Sequence, residues 1–474
     1  MSDPNTSIHS RRSLLKLMGV GAAAGLAGCG GGDTETENET DDNTGGDTDD
    51  NTEESTDTED DTGGGGKKAL LWEYGFPNTE GAKPVWRNEF EENYRERAGQ
   101  GIKISRYAYE DLRQKFLTGA TTGAPDAIEG TLSHLSEYIA AGHVEPIGDY
   151  AKSLEHFDGY IDSTIDAMTH KGKLYGLPYE GNARASFVRQ DILDELGQDI
   201  PESAEAFHEI GRMVNDEYDD VTGFHNCTKD GSVRAFQEWM THVYQHTDQL
   251  YVPDGDNFAL NIDADALGQV FDNWYYQIYA ADNPVGNPDD LGTGWQTNDP
   301  GYINGNYAFI ESGSWMRNWT SGENIQNTDS AKDILNNKTQ IAHPPHGEGA
   351  SKGTFLEVKP VMANSHSSQI EKAKMAVAAY SSPETLSEGM AQDPEASGKA
   401  MTPVHEDVES TIESENWEPL TDVFTTGRAL AKATWGPVRQ EFYTHMQEVA
   451  YGRTDPYKAG EQFHSALKNL GSEI

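Results

Sequence analysis

The run Ala69-Leu70-Leu71-Trp72 opens the stretch that decides the fold, residues 69–141. Two more short segments with the pattern of strands follow, Ile102-Lys103-Ile104 and Asp126-Ala127-Ile128, and apolar residues at helical spacing fill the intervals between and after them. Strands that alternate with helices in this way predict an α/β fold built on a parallel sheet.

The carboxyl ends of these strands are the first candidate binding site. In open α/β sheets, ligands bind in a crevice beyond the carboxyl ends of the strands. Glu73 and Tyr74 follow the first run, and Gly130 and Thr131 follow the third. These four residues are therefore candidates for contact with a ligand.

The first 29 residues have the pattern of an export signal. Arg11 and Arg12 form a twin-arginine pair, and the apolar run 17–27 is well short of the roughly 20 residues that span a bilayer. Leu26-Ala27-Gly28 then precedes Cys29, as in a bacterial lipobox. A buried N-terminal helix would explain neither the paired arginines nor the cysteine. The pattern predicts that Cys29 is lipidated and that the mature protein works outside the cell, tethered to the membrane.

Residues 30–66 contain only Gly, Asp, Thr, Glu, Asn and Ser. A segment without apolar residues cannot offset its ordering entropy by burial, so we expect a disordered spacer between the lipid and the folded part. An acidic interaction tail is the alternative interpretation of the same composition.

The chain is strongly acidic, with a formal net charge of −45 from 35 Lys and Arg against 80 Asp and Glu. The excess persists outside the spacer, because residues 62–474 carry 32 basic and 64 acidic residues. Such a surface is typical of halophilic proteins, since molar salt shortens the Debye length to about 3 Å and removes most of the self-repulsion. The acidity argues against binding to nucleic acid, or to an anionic membrane through a basic patch.

The high net charge predicts that folding depends on the salt concentration. We expect the soluble chain to lose its structure when the salt concentration falls below roughly 1 M, because unscreened carboxylates repel one another. Circular dichroism during stepwise desalting measures the effect. An unchanged spectrum would contradict the halophilic interpretation.

Catalytic and metal-binding motifs are missing from the sequence. It has no G-x-S-x-G, no H-E-x-x-H, no P-loop and no paired C-x-x-C. With Cys29 taken by lipid, Cys227 cannot form an intrachain disulfide and is expected to be a small buried residue. His343 and His346 flank two prolines, a spacing that suits a connecting segment better than a metal pair. We therefore expect no cofactor, no metal and no catalytic residue.

Aromatic residues are numerous for so polar a chain, with 9 Trp and 21 Tyr. Several lie beside polar or glycine residues in predicted connecting segments, and Trp239, Trp315 and Trp435 are among them. Flat rings combined with Asn, Gln, Asp, Glu and Arg side chains suit a carbohydrate, which presents apolar C–H faces and a rim of hydroxyls. Each tryptophan taken singly is better explained by core packing.

The segment Gly172-Lys173-Leu174-Tyr175-Gly176-Leu177-Pro178 resembles the G-K-x-Y-G-L-P signature of family 1 extracellular solute-binding proteins, the group of the maltose-binding protein. Other segments resemble the family in the family's own order. They are Gly123-Ala124-Pro125-Asp126, Ala141–Ile147, Ile303–Ala308 with Gly313-Ser314-Trp315, and the helix Ala373–Leu386 with its Ser-Pro-Glu turn. The resemblance covers residues 69–474 and rests on this order more than on any one motif.

The resemblance implies two α/β lobes that enclose a ligand in the cleft between them and close on a hinge. It places the chain crossings near residues 179–184, 342–347 and 399–404. The implied organisation is a signal at 1–29, a spacer at 30–66, a first lobe at 67–181 and 344–398, and a second lobe at 182–343 and 399–474.

The family's cleft positions, carried over residue by residue, imply a set of ligand contacts. Trp315 matches the stacking tryptophan of the family's G-x-W segment, and Trp435 matches the aromatic before the penultimate helix. The chain departs from the family at Phe187-Val188-Arg189, where Tyr-Asn-Lys is usual. The implied contacts are Glu73, Tyr74, Thr131, His134, Glu180, Asn182, Arg184, Trp239, Trp315 and Trp435.

The function implied by the resemblance involves no catalysis. It is that of the substrate-binding lipoprotein of an ABC importer, a monomer that binds a sugar or oligosaccharide and delivers it to the transmembrane subunits of a permease. The same fold with a non-sugar solute, such as a polyol phosphate or a metal complex, is the alternative, although the net acidity disfavours anionic ligands. A lipid-anchored polysaccharide hydrolase with two cleft carboxylates is a third interpretation.

Overall fold

The computed structural model describes residues 67–74, 85–107, 109–255, 257–318, 320, 324–391, 404–408, 416–431 and 433–472. The predicted export signal, the lipidated Cys29 and the spacer lie outside these residues, as does most of the predicted crossing at 399–404. Within the described part of the chain, no helix has both the length and the apolar character needed to cross a membrane.

Strands and helices alternate over residues 69–141, which confirms the pattern predicted there. In chain order, the elements of the first part are β1 (Leu70–Tyr74), α1 (Val85–Ala98), β2 (Lys103–Tyr107), α2 (Tyr109–Gly119), β3 (Ala127–Glu129), α3 (Leu132–Ala140), α4 (Gly148–Ala151), α5 (Asp162–Met168), β4 (Thr169–His170), β5 (Lys173–Leu174), β6 (Leu177–Ala183) and β7 (Ala185–Arg189).

The remaining elements include more helix than strand. They are α6 (Gln190–Leu196), α7 (Ala204–Glu217), β8 (Thr222–Phe224), α8 (Val233–Val243), β9 (Tyr251–Asp254), β10 (Asn257–Leu260), α9 (Ala264–Phe271), α10 (Trp295–Ile303), β11 (Tyr307–Ser312), α11 (Thr328–Asp333), β12 (Thr339–Ala342), β13 (Thr354–Ala363), α12 (Ile370–Tyr380), α13 (Pro383–Ala391), α14 (Pro419–Thr425), β14 (Gly427–Arg428), α15 (Trp435–Ala450) and α16 (Pro456–Leu470). A π-helical segment, Asp272–Ala280, continues α9.

The first sheet is built around β1, which pairs in parallel with β2 and with β3. The parallel arrangement predicted from the sequence is confirmed for these three strands. β13 then pairs antiparallel with β3 and with β6, and β14 adds to β13 in parallel. A strand from residues 354–363 thus completes a sheet that begins at residue 70.

The second sheet has the strand order β12-β7-β11-β8. β7 pairs antiparallel with both of its neighbours, whereas β11 and β8 are parallel. The chain passes from the first sheet to the second between β6 and β7, where Arg184 alone separates the two strands. It returns between β12 and β13. The lobe boundaries implied by the resemblance stay predictions.

Two clusters of buried apolar residues accompany the sheets. The first core contains Leu71, Phe90 and Ile128, and the second core contains Phe207 and Trp274. Burial of such side chains is the main favourable contribution to folding, at roughly 25 cal/mol for each Å² of apolar surface removed from water.

Local sequence explains where the main helices of the second core begin. The Ser203 hydroxyl accepts a hydrogen bond from Ala206 N at the start of α7, and the Asp263 carboxylate accepts one from Ala266 N at the start of α9. Each cap satisfies a backbone donor that has no partner within the helix, which typically stabilises a helix by about 1 kcal/mol.

Candidate functional site

A polar face lies on the antiparallel pair of β6 and β13. Glu357 is the cross-strand partner of Asn182, and Lys359 is the partner of Glu180. Because side chains alternate between the two faces of a strand, residues two apart on each strand share one face. All four side chains are at most 4 % exposed, and Lys359 forms an ion pair with Glu180. We call these four residues the polar strand face.

Gln237 of α8 connects the polar strand face to the second core. The Arg184 guanidinium, just beyond β6, donates to Asn182 Oδ1 at 2.8 Å and also to Gln237 Oε1. Gln237 Nε2 donates in turn to Glu357 Oε2 at 2.9 Å. One amide side chain therefore joins α8 to the strands on which the chain crosses between the sheets.

Trp315 lies beside the same arginine. The guanidinium carbons of Arg184 and Arg234 are each 4.6 Å from the centroid of the Trp315 ring, and the residue is 8 % exposed. Trp315 Nε1 donates to Asp299 Oδ2 at 3.1 Å, and Arg234 donates to the same oxygen at 2.8 Å. Asp299 therefore fixes the orientation of the ring and of one guanidinium group packed against it.

Glu238, one turn after Arg234 on α8, is a carboxyl group buried beside this cluster. Its Oε2 accepts a hydrogen bond from Cys227 N at 2.8 Å, and its Oε1 lies 3.8 Å from Arg234. Burial raises the pKa of Glu238 to about 8, an effect that the nearby Arg234 only partly opposes. Cys227 is buried, as predicted, and burial raises the pKa of its thiol.

Replacing Glu238 with glutamine is expected to stabilise the protein at alkaline pH and to have little effect near pH 4. The pKa of about 8 in the folded state exceeds the ordinary 4.5, so the folded state holds a proton that the unfolded state releases. Stability therefore falls as the pH rises from about 4.5 to about 8, and a neutral glutamine that keeps the Cys227 hydrogen bond removes this loss. Thermal unfolding of the parent and the variant at acid and alkaline pH in high salt measures the change in stability. Equal shifts at both pH values would contradict the buried proton.

The end of β1 carries two of the predicted contacts. Glu73 is 2 % exposed, accepts a hydrogen bond from Arg106 Nε at 2.8 Å and forms a second ion pair with α1. Tyr74 N donates to Glu129 Oε2 at 2.7 Å, and the same carboxylate accepts from Tyr380. The carboxylates at this edge of the first sheet are therefore held in place by basic and hydroxyl groups.

Two further predicted contacts, Thr131 and His134, lie at the start of α3. The hydroxyl oxygens of Thr131 and Ser133 are 2.8 Å apart, and both residues are buried. His134 is 1 % exposed, and neither of its ring nitrogens has a hydrogen-bond partner among the described residues. Buried polar atoms usually have a hydrogen-bond partner, so these two ring nitrogens can pair with another molecule.

The structure brings four of the ten predicted contacts together around the polar strand face. They are Glu180, Asn182, Arg184 and Trp315. Glu73 and Tyr74 are the last two residues of β1, and Thr131 and His134 follow β3, at the edge of the first sheet that the strand pattern indicated.

Trp239 and Trp435 lie in the second core. Trp239 stacks on Phe442 with the ring centroids 4.9 Å apart. Trp435 is 0 % exposed, and its Nε1 donates to Ala431 O at 2.8 Å. Contact of these two tryptophans with a ligand stays a prediction.

Sequence reasoning missed Gln237, Glu357 and Asp299. One signal for Glu357 was present, because Glu357 and Lys359 interrupt the apolar run of β13 at alternate positions, which indicates one polar face on a buried strand. No local signal distinguishes Gln237 or Asp299 from the other polar residues of their helices.

A groove of about 1120 Å³ lies apart from the polar strand face. It is lined by residues of α3, α5 and the turn between β4 and β5, together with the β9–β10 hairpin, residues 429–431 and Thr434. Its size suits a small ligand, but none of the ten predicted contacts lines it.

Comparison with known proteins supports the resemblance. The sequence profile of the bacterial extracellular solute-binding proteins matches residues 87–420. A lactose-binding protein of Rhizobium radiobacter is 27% identical over 120 residues, and that match spans only 24% of this chain and 28% of the relative.

Solved structures with a similar fold cover most of this chain. The GacH receptor of Streptomyces glaucescens, solved without ligand and with acarbose, has a TM-score of 0.69 at 14% identity and covers 86% of this chain and 99% of its own. The maltotriose-binding protein of Thermus thermophilus has a TM-score of 0.63 at 20% identity and covers 85% of this chain and 100% of its own. A solute-binding protein of Thermotoga lettingae bound to α-D-tagatose has a TM-score of 0.69 at 17% identity and covers 85% of this chain and 100% of its own.

These likenesses identify the fold as the two-lobed α/β architecture of solute-binding proteins, with the cleft between the lobes. The fold predicted from the sequence is thereby confirmed. Because the family profile spans more than half of its length, the chain belongs to the bacterial extracellular solute-binding proteins.

Proposed function

We propose that the protein is the substrate-binding lipoprotein of an ABC importer and that its solute is a sugar or oligosaccharide. The observation that carries this proposal is the combination of the polar strand face with Trp315 beside it. A flat ring next to carboxylate, amide and ammonium groups matches the apolar faces and hydroxyl rim of a sugar. The solved relatives that bind acarbose, maltotriose and tagatose support the same ligand class.

The polar strand face offers hydrogen-bonding capacity that the described protein atoms leave unused. Asn182 Nδ2 and Glu357 Oε1 are buried and have no hydrogen-bond partner among the described residues. One is a donor and the other an acceptor, so a hydroxyl, which both donates and accepts, can satisfy them together. Buried polar atoms of this kind cost free energy until a ligand pairs with them, which favours binding.

Closure of the two lobes around the solute is the proposed binding motion. Gln237 of α8 joins Arg184, between β6 and β7, to Glu357 of β13. Glu137 of α3 forms an ion pair with Arg439 of α15. These contacts connect the first sheet and its helices to helices of the second core. They are the polar contacts that we propose to break on opening and to re-form on closure.

Export, lipidation and delivery complete the proposal. The twin-arginine pattern and the lipobox support a lipid anchor at Cys29 on the outer face of the membrane. We propose that the anchored protein, acting as a monomer, hands its solute to the transmembrane subunits of a permease. Its family and fold are those of binding proteins, and we propose that it has no catalytic activity.

A titration of the soluble chain tests the solute class. Residues 30–474 in about 3 M KCl are mixed with single mono- and disaccharides while the tryptophan fluorescence is followed. A saturable change with one sugar supports the proposal and identifies the solute. If circular dichroism shows that the protein is folded and no sugar changes its fluorescence, the sugar assignment is contradicted. Turnover of a polysaccharide by the same protein would instead support the hydrolase.

A further inference from the structure

The start of α3 is a second polar region of the molecule, distinct from the polar strand face. α3 begins after Thr131, and no side chain caps its first turn. The first backbone N–H groups of a helix have no acceptor within the helix, and the helix dipole makes this end electropositive. Thr131 and Ser133 add two buried hydroxyls at the same place.

His134 is the observation that makes this helix start a candidate site. It lies in the first turn, is 1 % exposed, and has two ring nitrogens without a hydrogen-bond partner among the described residues. An imidazole always has at least one N–H to donate, and both nitrogens donate when it is protonated. Leaving these atoms buried and unpaired is costly, so a group that accepts hydrogen bonds from His134 is favoured here.

Charges around His134 are predominantly positive. Glu137, one turn further along α3, is shared by two guanidinium groups, at 2.6 Å from Arg113 and 2.5 Å from Arg439. Two positive charges against one negative charge leave a local excess of positive charge. Burial and then the field of Arg439 and Arg113 hold the pKa of His134 well below its ordinary value.

Glu129, which ends β3 two residues before Thr131, does not remove this positive field at His134. Its carboxylate accepts hydrogen bonds from Tyr74 N and from Tyr380, and the charges that act on the His134 imidazole are those of Arg439 and Arg113. In a chain with a net charge of −45, a buried region with a positive excess is therefore a local exception to the overall field.

We propose that the start of α3, with His134, binds an anionic oxygen group of the solute, either a carboxylate or a phosphate. The inference rests on the proposed solute-binding function and narrows its ligand to an acidic sugar or a sugar or polyol phosphate. Helix starts bind such groups through backbone N–H groups and the helix dipole, and hydroxyl and imidazole donors add to them. The net acidity of the chain, which disfavours anionic ligands at long range, is screened in high salt, whereas contacts in a buried site are screened much less.

The position of Arg439 couples this site to closure. Arg439 belongs to α15, which packs in the second core, and it reaches Glu137 on α3 of the first. An anion at the start of α3 is attracted to the same guanidinium that crosses between the two cores. Binding of the anionic group therefore favours the conformation in which α15 lies against α3.

Matched pairs of neutral and anionic solutes test the proposal. Calorimetric titration of residues 30–474 in about 3 M KCl compares glucose with glucuronate and glucose 6-phosphate, galactose with galacturonate, and glycerol with glycerol 3-phosphate. We expect at least one anionic member to bind about tenfold more tightly than its neutral partner. Binding of the uronates alone identifies a carboxylate site, and binding of the esters alone identifies a phosphate site. If no anionic solute binds, the proposal is wrong, and the neutral sugars then decide the solute-binding function separately.

A histidine substitution locates the anionic group. His134→Ala is expected to lower affinity for the preferred anionic solute by about tenfold and to lower affinity for the matched neutral sugar by a smaller factor. His134→Gln, which keeps a hydrogen-bond donor, is expected to recover part of the loss. His464→Ala on α16 is the matched control, and circular dichroism checks the fold of each variant. Equal losses for the anionic and neutral solutes, or no loss, would overturn the assignment.

Discussion

Replacing Trp315 with alanine is expected to weaken solute binding by about tenfold or more while leaving the chain folded. The ring is the one predicted stacking residue that lies beside the polar strand face, and Asp299 and two guanidinium groups fix its position. Alanine removes the flat apolar surface and also the support for Arg184 and Arg234, so both stacking and polar contacts are lost. Isothermal titration calorimetry measures the affinity without relying on the fluorescence of the residue removed.

Two controls separate loss of the site from general damage. Trp295→Ala removes a half-buried tryptophan that packs against the second core, and its solute affinity is expected to stay within about twofold of the parent. Trp435→Ala removes a fully buried ring and reports general damage through an expected loss of stability of about 3–5 kcal/mol, while its own solute affinity tests the ligand contact predicted for it. Unchanged affinity in Trp315→Ala would remove the ring from the binding site.

The β-α pattern of residues 69–141 correctly predicted the parallel strands β1, β2 and β3 of the first sheet because it depends on local periodicity. A parallel strand followed by a helix is specified by residues close together in the chain. The antiparallel addition of β13 is different, since its partner strands begin about two hundred residues earlier and only tertiary packing selects them. The order of short motifs along the chain predicted the family, which the family profile confirms, but it predicted no pairing for β13.

The candidate site was predicted in part, and the limit has a physical cause. Glu180, Asn182 and Arg184 were found because they follow a recognisable segment on one strand. Gln237 acquires its role only when α8 packs against that strand, and Glu357 only through its register with Asn182. Long-range contacts of this kind cannot be recognised from the residues that are nearby in the sequence.

The tryptophans also show that the sequence alone does not reveal the long-range neighbours of a residue. Trp315, Trp239 and Trp435 are equivalent as residue types, and alignment to the family suggested a ligand contact for each. In the structure their neighbours differ, because Trp315 lies against arginines whereas Trp239 stacks on Phe442. Whether an aromatic ring faces a cleft or a core depends on which helix packs over it.

Replacing Arg234 with alanine is expected to destabilise the protein by about 3–5 kcal/mol, a large share of the stability of an ordinary domain. Arg234 is 6 % exposed and donates to Asp299, which is 0 % exposed, at 2.8 Å. It also lies 3.8 Å from the buried Glu238. Its loss leaves the Asp299 carboxylate buried without its ion-pair partner and removes a guanidinium from the Trp315 ring. Chemical denaturation in about 3 M KCl measures the change in free energy of unfolding.

Two further variants decide whether the buried charge is the cause. Arg453→Ala breaks an exposed ion pair with Glu448, whose side chains are 57% and 41% exposed, and is expected to change stability by less than about 1 kcal/mol. The double variant Arg234→Ala with Asp299→Asn removes the uncompensated charge and is expected to recover part of the loss, because an unpaired buried ion costs more than an unpaired amide. Recovery in the double variant would show that Arg234 acts mainly by neutralising Asp299. Additive losses from the two substitutions would show instead that the arginine acts through its packing on Trp315, and the electrostatic explanation would be wrong.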